Sequence, residues 1–183
     1  MKIYLLLAVT LLSFASLAPA QRRDYMTDAE IELVRDNQDI DKRIEVLVRM
    51  IDRRLAVAGV AAVGAPARTK KDKSDWGPEP EGTRLQLLTD VKYLLQKAID
   101  DIDDVSEHNA DAKTQNKESG PLFPVAVRTL AAAAGNYLPA LKTASEKAQD
   151  ARERGILLQS IESCELILDA VRQLPPEVKK KEG

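Results

Sequence analysis

Large aliphatic residues recur along this chain three and four positions apart, and charged residues fill the positions between them. This spacing places the aliphatic side chains on one face of an α-helix, because an α-helix completes a turn every 3.6 residues. Each such face has to be shielded from water by another helix. The pattern therefore predicts an all-α fold, a four- to five-helix bundle with an up-down path. The apolar stripes comprise Ile40, Ile44, Leu47, Val48, Ile51 and Leu55; Leu88, Val91, Leu95, Ala98, Ile102 and Val105; Phe123, Val127, Leu130, Ala134, Leu138 and Leu141; and Leu157, Ile161, Cys164, Leu168 and Val171.

Short polar motifs predict where the helices begin. Thr27 and Glu30 form a capping-box pattern, in which the threonine hydroxyl accepts a free backbone N–H and the glutamate reaches back to the cap. Asp39 is placed to cap the helix that starts at residue 40, after a break over residues 36–39. Another helix is expected to begin after Thr83.

Proline and glycine predict the remaining helix boundaries. Pro121 stands where a later helix would start, since proline is tolerated in a first turn. Pro139 lies inside an apolar stripe and is expected to kink or interrupt that helix, because it removes one internal hydrogen bond. Gly155 suggests a further break before the last helix. That helix is expected to stop at Leu174, because the two prolines that follow cannot continue it.

Residues 59–82 interrupt the helical pattern with four glycines and three prolines. Their composition predicts a long flexible surface loop within a single helical domain that covers residues 21–174. A loop of this length is uncommon inside a domain, which marks it as either flexible or functional. Trp76 is its one large apolar side chain, and we expect it to pack against the body rather than form an exposed contact. Residues 175–183 are predicted to form a disordered tail.

Residues 1–20 have the layout of a secretory signal peptide. Lys2 precedes an apolar stretch, and the small residues Ala18 and Ala20 suit the pocket of a signal peptidase, so cleavage is expected before Gln21. The alternative is an uncleaved anchor, but this run is short for a span, which needs about 20 predominantly apolar residues. We therefore expect a periplasmic or secreted protein that has no stable membrane span after cleavage.

The composition offers few residues for catalysis or cofactor binding. The net charge of −2 lacks the basic excess typical of proteins that bind nucleic acid. His108 and Cys164 are the only histidine and cysteine, whereas a structural zinc site needs about four such ligands and nucleophilic catalysis needs a base beside the nucleophile. We predict a protein that is not an enzyme, with no cofactor and no catalytic, cofactor-binding or metal-binding residues. Cys164 lies in an apolar stripe, which predicts a buried thiol; pairing between chains is the alternative.

An acidic cluster near the end of the second long helix is the strongest candidate for chemistry. Carboxylates that converge can hold a hard cation, and Asp104 and His108 lie one helical turn apart. The order of ligands does not match a calcium loop, and a di-iron bundle requires two histidines. A solvated helix face is the simpler interpretation, and a cation site is the alternative. The cluster comprises Asp100, Asp101, Asp103, Asp104, Glu107 and His108.

The charged face of the helix from residue 40 to residue 55 is also predicted to be solvated, with a docking surface for another protein as the alternative. One-turn ion pairs are expected between Asp39 and Arg43 and between Glu45 and Arg49. The face comprises Asp39, Asp41, Lys42, Arg43, Glu45, Arg49, Asp52, Arg53 and Arg54.

Residues 25–55 resemble the opening of a family of uncharacterised exported, all-helical bacterial proteins. The resemblance rests on a Thr-capped acidic helix followed by an arginine-bearing amphipathic one, at Thr27, Glu30, Arg35, Gln38 and Arg43. It implies a helical fold and export, and it assigns no activity and no site. The sequence thus predicts a protein-interaction or scaffolding role with another protein of the cell envelope, in an oligomeric state that it leaves open. The alternative function is cation binding by residues 100–108.

Overall fold

The computed structural model describes residues 23–60, 76–108, 115–116 and 120–175. In these ranges the chain forms five helices and one two-residue antiparallel pairing, so the predicted all-α bundle is confirmed. The helices are α1 (Asp28–Asp36), α2 (Ile40–Val57), α3 (Arg84–His108), α4 (Leu122–Lys147) and α5 (Ala151–Val171); the strands are β1 (Gln115–Asn116) and β2 (Gly120–Pro121).

The ends of α1 and α2 follow the sequence signals. The backbone N–H of Glu30 donates to the Thr27 hydroxyl and the backbone N–H of Thr27 donates to the Glu30 carboxylate, which completes the predicted capping box. Asp39 occupies the cap position of α2, but its side chain accepts no capping hydrogen bond. Gly59 follows the end of α2 with φ of 69°, and the Val60 N–H donates to the Leu55 carbonyl, the arrangement of a Schellman motif.

Neither Pro139 nor Gly155 ends a helix. Pro139 lies inside α4, which continues through it, so the predicted interruption is wrong and a kink stays a prediction. Gly155 lies inside α5, and the break falls earlier, at residues 148–150. Asp150 begins α5 because its carboxylate accepts the Arg152 N–H at 2.7 Å, a stronger local signal than the weak helix propensity of one glycine.

Helices α2 to α5 run alternately up and down. The C-terminal end of α2, the N-terminal end of α3 and the C-terminal end of α4 meet at one end of the bundle, where Arg84 of α3 also pairs with Glu153 of α5. The opposite ends of α3, α4 and α5 meet at the other end. Going around the bundle, the order is α2, α3, α5, α4, so α3 and α4 follow each other in the chain but lie diagonally opposite.

The core lies between these four helices and consists mainly of the predicted stripes. Trp76 is buried beside it, which confirms that this side chain packs against the body. Helix α1 lies across α2 and contributes only partly buried apolar residues. The core includes Ile44, Leu47, Met50 and Ile51 of α2; Leu88, Val91, Leu94 and Leu95 of α3; Leu130, Ala134, Tyr137 and Leu141 of α4; and Leu157, Cys164 and Ile167 of α5.

Three sequence predictions lie partly or wholly outside the described residues. They are the signal peptide over residues 1–20, the flexible loop where it covers residues 61–75, and the tail from residue 176 onward. In the described ranges, every helix is too short or too polar to cross a bilayer.

Adjacent leucines of α5 test how this helix is oriented against the core. Leu157 is fully buried, whereas its neighbour Leu158 is 48% exposed. We expect Leu157→Ala to lower the free energy of unfolding by about 2–5 kcal/mol, because it leaves a cavity in the core. The matched Leu158→Ala change should cost less than about 1 kcal/mol. Urea denaturation measures both, and equal losses would show that α5 is rotated from the orientation described.

Candidate functional site

The acidic cluster at the C-terminal end of α3 is mostly exposed to solvent. Asp101 pairs with Lys97 at 3.0 Å and Asp100 accepts a hydrogen bond from the Gln96 amide at 2.8 Å. In the part of the chain that the structure describes, no three His, Cys, Asp or Glu side chains are grouped so that they could hold a metal ion. The side chain of His108 lies outside the described residues, and cation binding by this cluster remains a prediction.

The charged face of α2 is not uniformly solvated, which corrects the prediction made for it. Arg54 is only 1% exposed, and Asp41 is also buried. Arg54 is covered because the segment before α2 folds back over it, a contact that the periodicity of α2 alone does not reveal. Arg43 donates to the Asn37 carbonyl and the Gln38 side chain instead of pairing with Asp39.

Glu30 of α1 is the ion-pair partner of the buried Arg54. The two side chains form a bidentate ion pair, with Arg54 Nη1 at 2.9 Å from Glu30 Oε1 and Nη2 at 2.7 Å from Oε2. Arg53 Nη1 lies 2.9 Å from Glu30 Oε1, and the Thr27 N–H donates to Oε2 at 3.0 Å. A fully buried carboxylate thus accepts four hydrogen bonds, three of them from arginines, which offsets the cost of removing its charge from water.

Arg54 extends this arrangement to α3. Its Nη2 donates to the Tyr25 carbonyl at 2.6 Å, and its Nε lies 3.6 Å from the buried carboxylate of Asp90. Arg23 also bonds to Asp90 and to the Glu81 carbonyl. We refer to Glu30, Arg53, Arg54 and Asp90 as the Glu30 cluster.

Arg53 connects the Glu30 cluster to the segment before α3. It donates to the carbonyl of Trp76 at 3.0 Å and also to that of Pro78. The guanidinium carbons of Arg53 and Arg49 lie 5.7 and 5.5 Å from the centre of the Trp76 ring, within cation–π distance. The Glu30 cluster therefore joins the N-terminal segment, α2, α3 and the end of the loop.

The two carboxylates of the Glu30 cluster respond oppositely to their surroundings. Burial acts to raise the pKa of Glu30, but the hydrogen bonds from Arg54 and Thr27 and the charges of Arg54 and Arg53 outweigh it, so the pKa lies below its ordinary value of 4.5. Burial raises the pKa of Asp90 above 3.8, and the hydrogen bond and charge of Arg23 offset only part of that rise. Both carboxylates of the cluster are paired with arginines of the same chain, which is typical of a structural role.

Two further polar groups lie inside the bundle. The Tyr137 hydroxyl donates to Asp52 at 2.7 Å, so a carboxylate predicted to be solvated also has an internal partner. Burial raises the pKa of Cys164 to about 12, and the charge of Glu165 adds to the rise. The predicted buried thiol is confirmed, and it lacks the lowered pKa of a nucleophilic cysteine.

A cleft of about 330 Å³ opens between α3, α4 and α5 at the end of the bundle where α3 stops and α4 begins. We call it the distal cleft. Nine of its lining residues are apolar, and Asp103, Ser106 and Gln173 supply its polar groups. Its apolar lining consists of Ile99 and Ile102 of α3; Phe123, Val127 and Leu130 of α4; Leu166, Ile167 and Ala170 of α5; and Leu174.

Leu166 gives the distal cleft an apolar edge that faces water. Its side chain is 58% exposed, the largest exposed fraction among the large apolar residues of the described chain. The sequence stripes place Ile102, Phe123 and Val127 on buried helix faces, so the periodicity does not distinguish a closed core from an open cleft. Leu166 itself falls outside the predicted stripe of α5, and Asp103, which also lines the cleft, belongs to the acidic cluster noted in the sequence.

A second crevice of about 350 Å³, near Arg84 and Lys147 at the other end of the bundle, has a more polar lining. Arg84 is already engaged there by Glu153 at 2.9 Å and by the Ala58 carbonyl. The distal cleft is therefore the stronger candidate for a binding site. No family model, curated protein or solved structure matches the chain.

Removing the charge of Glu30 tests the Glu30 cluster. We expect Glu30→Gln to lower the free energy of unfolding by about 3–5 kcal/mol, because it leaves two arginines, one of them buried, without their carboxylate. Glu32→Gln, on the same helix in an exposed pair with Arg35, should cost less than about 1 kcal/mol.

The pH dependence of the same comparison follows from the lowered pKa of Glu30. The stabilisation by its charged form is complete above pH 4.5 and is lost as the pH falls through the folded-state pKa. The free energy of unfolding of wild type should therefore exceed that of Glu30→Gln by less and less as the pH falls below 4.5. A difference in this free energy that is small at neutral pH, or constant down to pH 2, would contradict the ion pairs of Glu30.

Alkylation tests the state of Cys164. At pH 8 a thiol with a pKa near 12 is almost entirely protonated, so we expect iodoacetamide to modify the folded protein at least about 100-fold more slowly than the protein in urea. A Leu158→Cys, Cys164→Ala variant provides an exposed thiol on the same helix and should react rapidly when folded. Rapid modification of folded wild type, detected by mass spectrometry, would contradict the burial of Cys164.

Proposed function

We propose that this protein is an exported, non-enzymatic helical bundle that binds another protein of the cell envelope through the distal cleft. Export rests on the layout of residues 1–20, with cleavage before Gln21, and places the protein in the periplasm or outside the cell. Its function in this proposal is to dock a partner, as a scaffold or adaptor.

The distal cleft is the observation that carries this proposal. It combines an apolar floor with Leu166, a large apolar side chain more than half exposed beside it. Exposed apolar surface next to a concavity is unfavourable in water and is typical of a surface that another molecule covers. The cleft lies between the ends of three helices, so its walls are held by the core of the bundle.

The shape of the distal cleft favours a protein partner over a small molecule. Small-molecule pockets commonly enclose most of their ligand and have volumes of about 300–1,000 Å³. This cleft has a volume near the lower limit and opens onto the outer face of α5. Such an open cleft suits two or three anchoring side chains of a larger partner, the pattern seen where a helix docks into a groove.

The chemical groups of the chain support a binding role rather than catalysis. Cys164 is a buried thiol with a raised pKa, and the carboxylates of the Glu30 cluster are occupied by arginines. Among the described residues that line the distal cleft, Asp103 supplies the ionisable group and Ser106 the hydroxyl. This arrangement supplies contacts for recognition.

Two exposed leucines of α5 allow a matched test of the distal cleft. Leu166 lines the cleft and Leu158, 48% exposed on the same helix, does not. We expect Leu166→Asp to weaken retention of the envelope partner by about 10-fold or more, because a charge replaces an apolar anchor. Leu158→Asp should leave retention unchanged, and both variants should unfold at nearly the wild-type urea concentration.

The measurement uses immobilised full-length mature protein, an envelope extract and quantitative mass spectrometry of what each variant retains. A photo-crosslinking residue at position 166, compared with one at position 158, identifies which protein contacts the cleft directly. Retention of the same proteins in the same amounts by all three forms would overturn the assignment of the distal cleft as the docking site.

A further inference from the structure

The carboxylates beside the distal cleft lie where the physics of a helix disfavours negative charge. Asp100, Asp103, Asp104 and Glu107 are exposed, and their spacing places them along one side of the last turns of α3. Like charges three or four residues apart on a helix repel each other and destabilise it. The C-terminal end of a helix also carries a partial negative charge, which stabilises cations rather than carboxylates.

Among the described residues, part of this negative charge has no counter-charge. Lys97, the nearest lysine on α3, is engaged by Asp101 at 3.0 Å. In the part of the chain that the structure describes, neither Asp103 nor Glu107 forms an ion pair with an arginine or lysine. Asp103 also lines the distal cleft, so the negative charge and the apolar surface belong to one continuous site.

The opposite border of the distal cleft does not supply the missing positive charge. On α5, Glu165 pairs with Lys142 at 2.9 Å and Asp169 pairs with Arg172 at 2.7 Å, and Glu162 is a further exposed carboxylate. Lys142 and Arg172 are therefore matched by acidic residues, and Arg128 of α4 donates to the Pro175 carbonyl at 2.7 Å. The cleft has an apolar floor, one neutral to acidic border on α5 and one strongly acidic border on α3.

We propose that the partner segment that docks in the distal cleft is a basic amphipathic helix, in which lysines or arginines flank an aliphatic stripe. This inference rests on the proposed function and specifies the chemistry of the partner. Aliphatic side chains of that helix enter the cleft beside Leu166. Its basic side chains contact Asp103 and Glu107 and relieve the repulsion at the end of α3.

The same charges disfavour other occupants of the cleft. The surface of an anionic membrane would be repelled by the carboxylates of α3. A lone cation would neutralise those carboxylates but leave Leu166 and the apolar floor exposed. A basic amphipathic helix satisfies both features, through a common mode in which apolar anchors lie along one helix face.

Designed peptides test the inference on the full-length mature protein. The probe is a labelled leucine–lysine peptide of about 16 residues, long enough to form a helix, with leucines at spacings of three and four. The matched peptide replaces each lysine with glutamate. Fluorescence anisotropy measures binding of each peptide to wild type and to four variants, at low salt and at 0.5 M salt to screen the charges.

We expect the lysine peptide to bind wild type and the glutamate peptide to bind at least about 10-fold more weakly. An Asp103→Asn, Glu107→Gln variant should bind the lysine peptide about 3- to 10-fold more weakly at low salt, with a smaller difference at high salt. The control variant Asp36→Asn, Glu146→Gln removes the same charge from exposed sites that do not line the cleft and should bind like wild type. Leu166→Asp should abolish binding, whereas Leu158→Asp should not.

The outcomes separate this inference from the proposed function. Equal binding of both peptides, with loss of both in Leu166→Asp, would overturn the basic helix and leave the docking site in place. Equal weakening by the two charge-removing variants would show non-specific attraction and would also overturn it. Failure of the lysine peptide to bind wild type would also overturn the basic helix. In that case, retention of envelope proteins by wild type and not by Leu166→Asp would still support the distal cleft as the docking site.

Discussion

Burial of four aliphatic helix faces in one core is the constraint on which the rest of this structure depends. Each fully buried leucine, isoleucine or valine contributes about 1.5–3 kcal/mol, and no single helix can provide that burial for itself. The alternating path of α2 to α5 brings all four faces together, and small residues on α4, such as Ala126 and Ala134, are completely buried within it. The helix ends, the buried charges and the clefts are fixed in space by this packing.

The Glu30 cluster positions the N-terminal segment on that core. Helix α1 is only nine residues long and buries little apolar surface, so hydrophobic burial alone defines its position weakly. A buried carboxylate without a partner is costly, and the bidentate contact with Arg54 restricts α1 to the one place where both charges are matched. Arg53 extends the same restriction to the segment around Trp76, so a single glutamate links parts of the chain that lie far apart in sequence.

The distal cleft lies where the ends of three helices meet. Its described lining comes from α3, α4, α5 and the two residues Gln173 and Leu174 that follow α5, with no residue of α2. Ile102, Phe123 and Val127 line the gap, and Leu166 extends the apolar surface to the outside of α5. The acidic end of α3 adds charge to that surface, which gives the site the two features, apolar anchoring and electrostatic selection, that distinguish a specific docking surface from an exposed core.

The sequence by itself determined the helices, the capping box at Thr27, the end of α2 near Gly59 and the burial of Cys164, because these depend on local hydrogen bonding and on a periodicity of 3.6 residues. The break predicted at Gly155 lies instead before α5, where the Asp150 carboxylate caps the helix, and α4 continues through Pro139 although proline removes one internal hydrogen bond. Only the tertiary structure decided that Arg54 is buried, because its partner Glu30 is 24 residues away and a charge pattern does not record long-range contacts. The same holds for the distal cleft. Its residues come from three helices, and whether apolar faces close completely or leave a gap depends on how the helix ends meet in space.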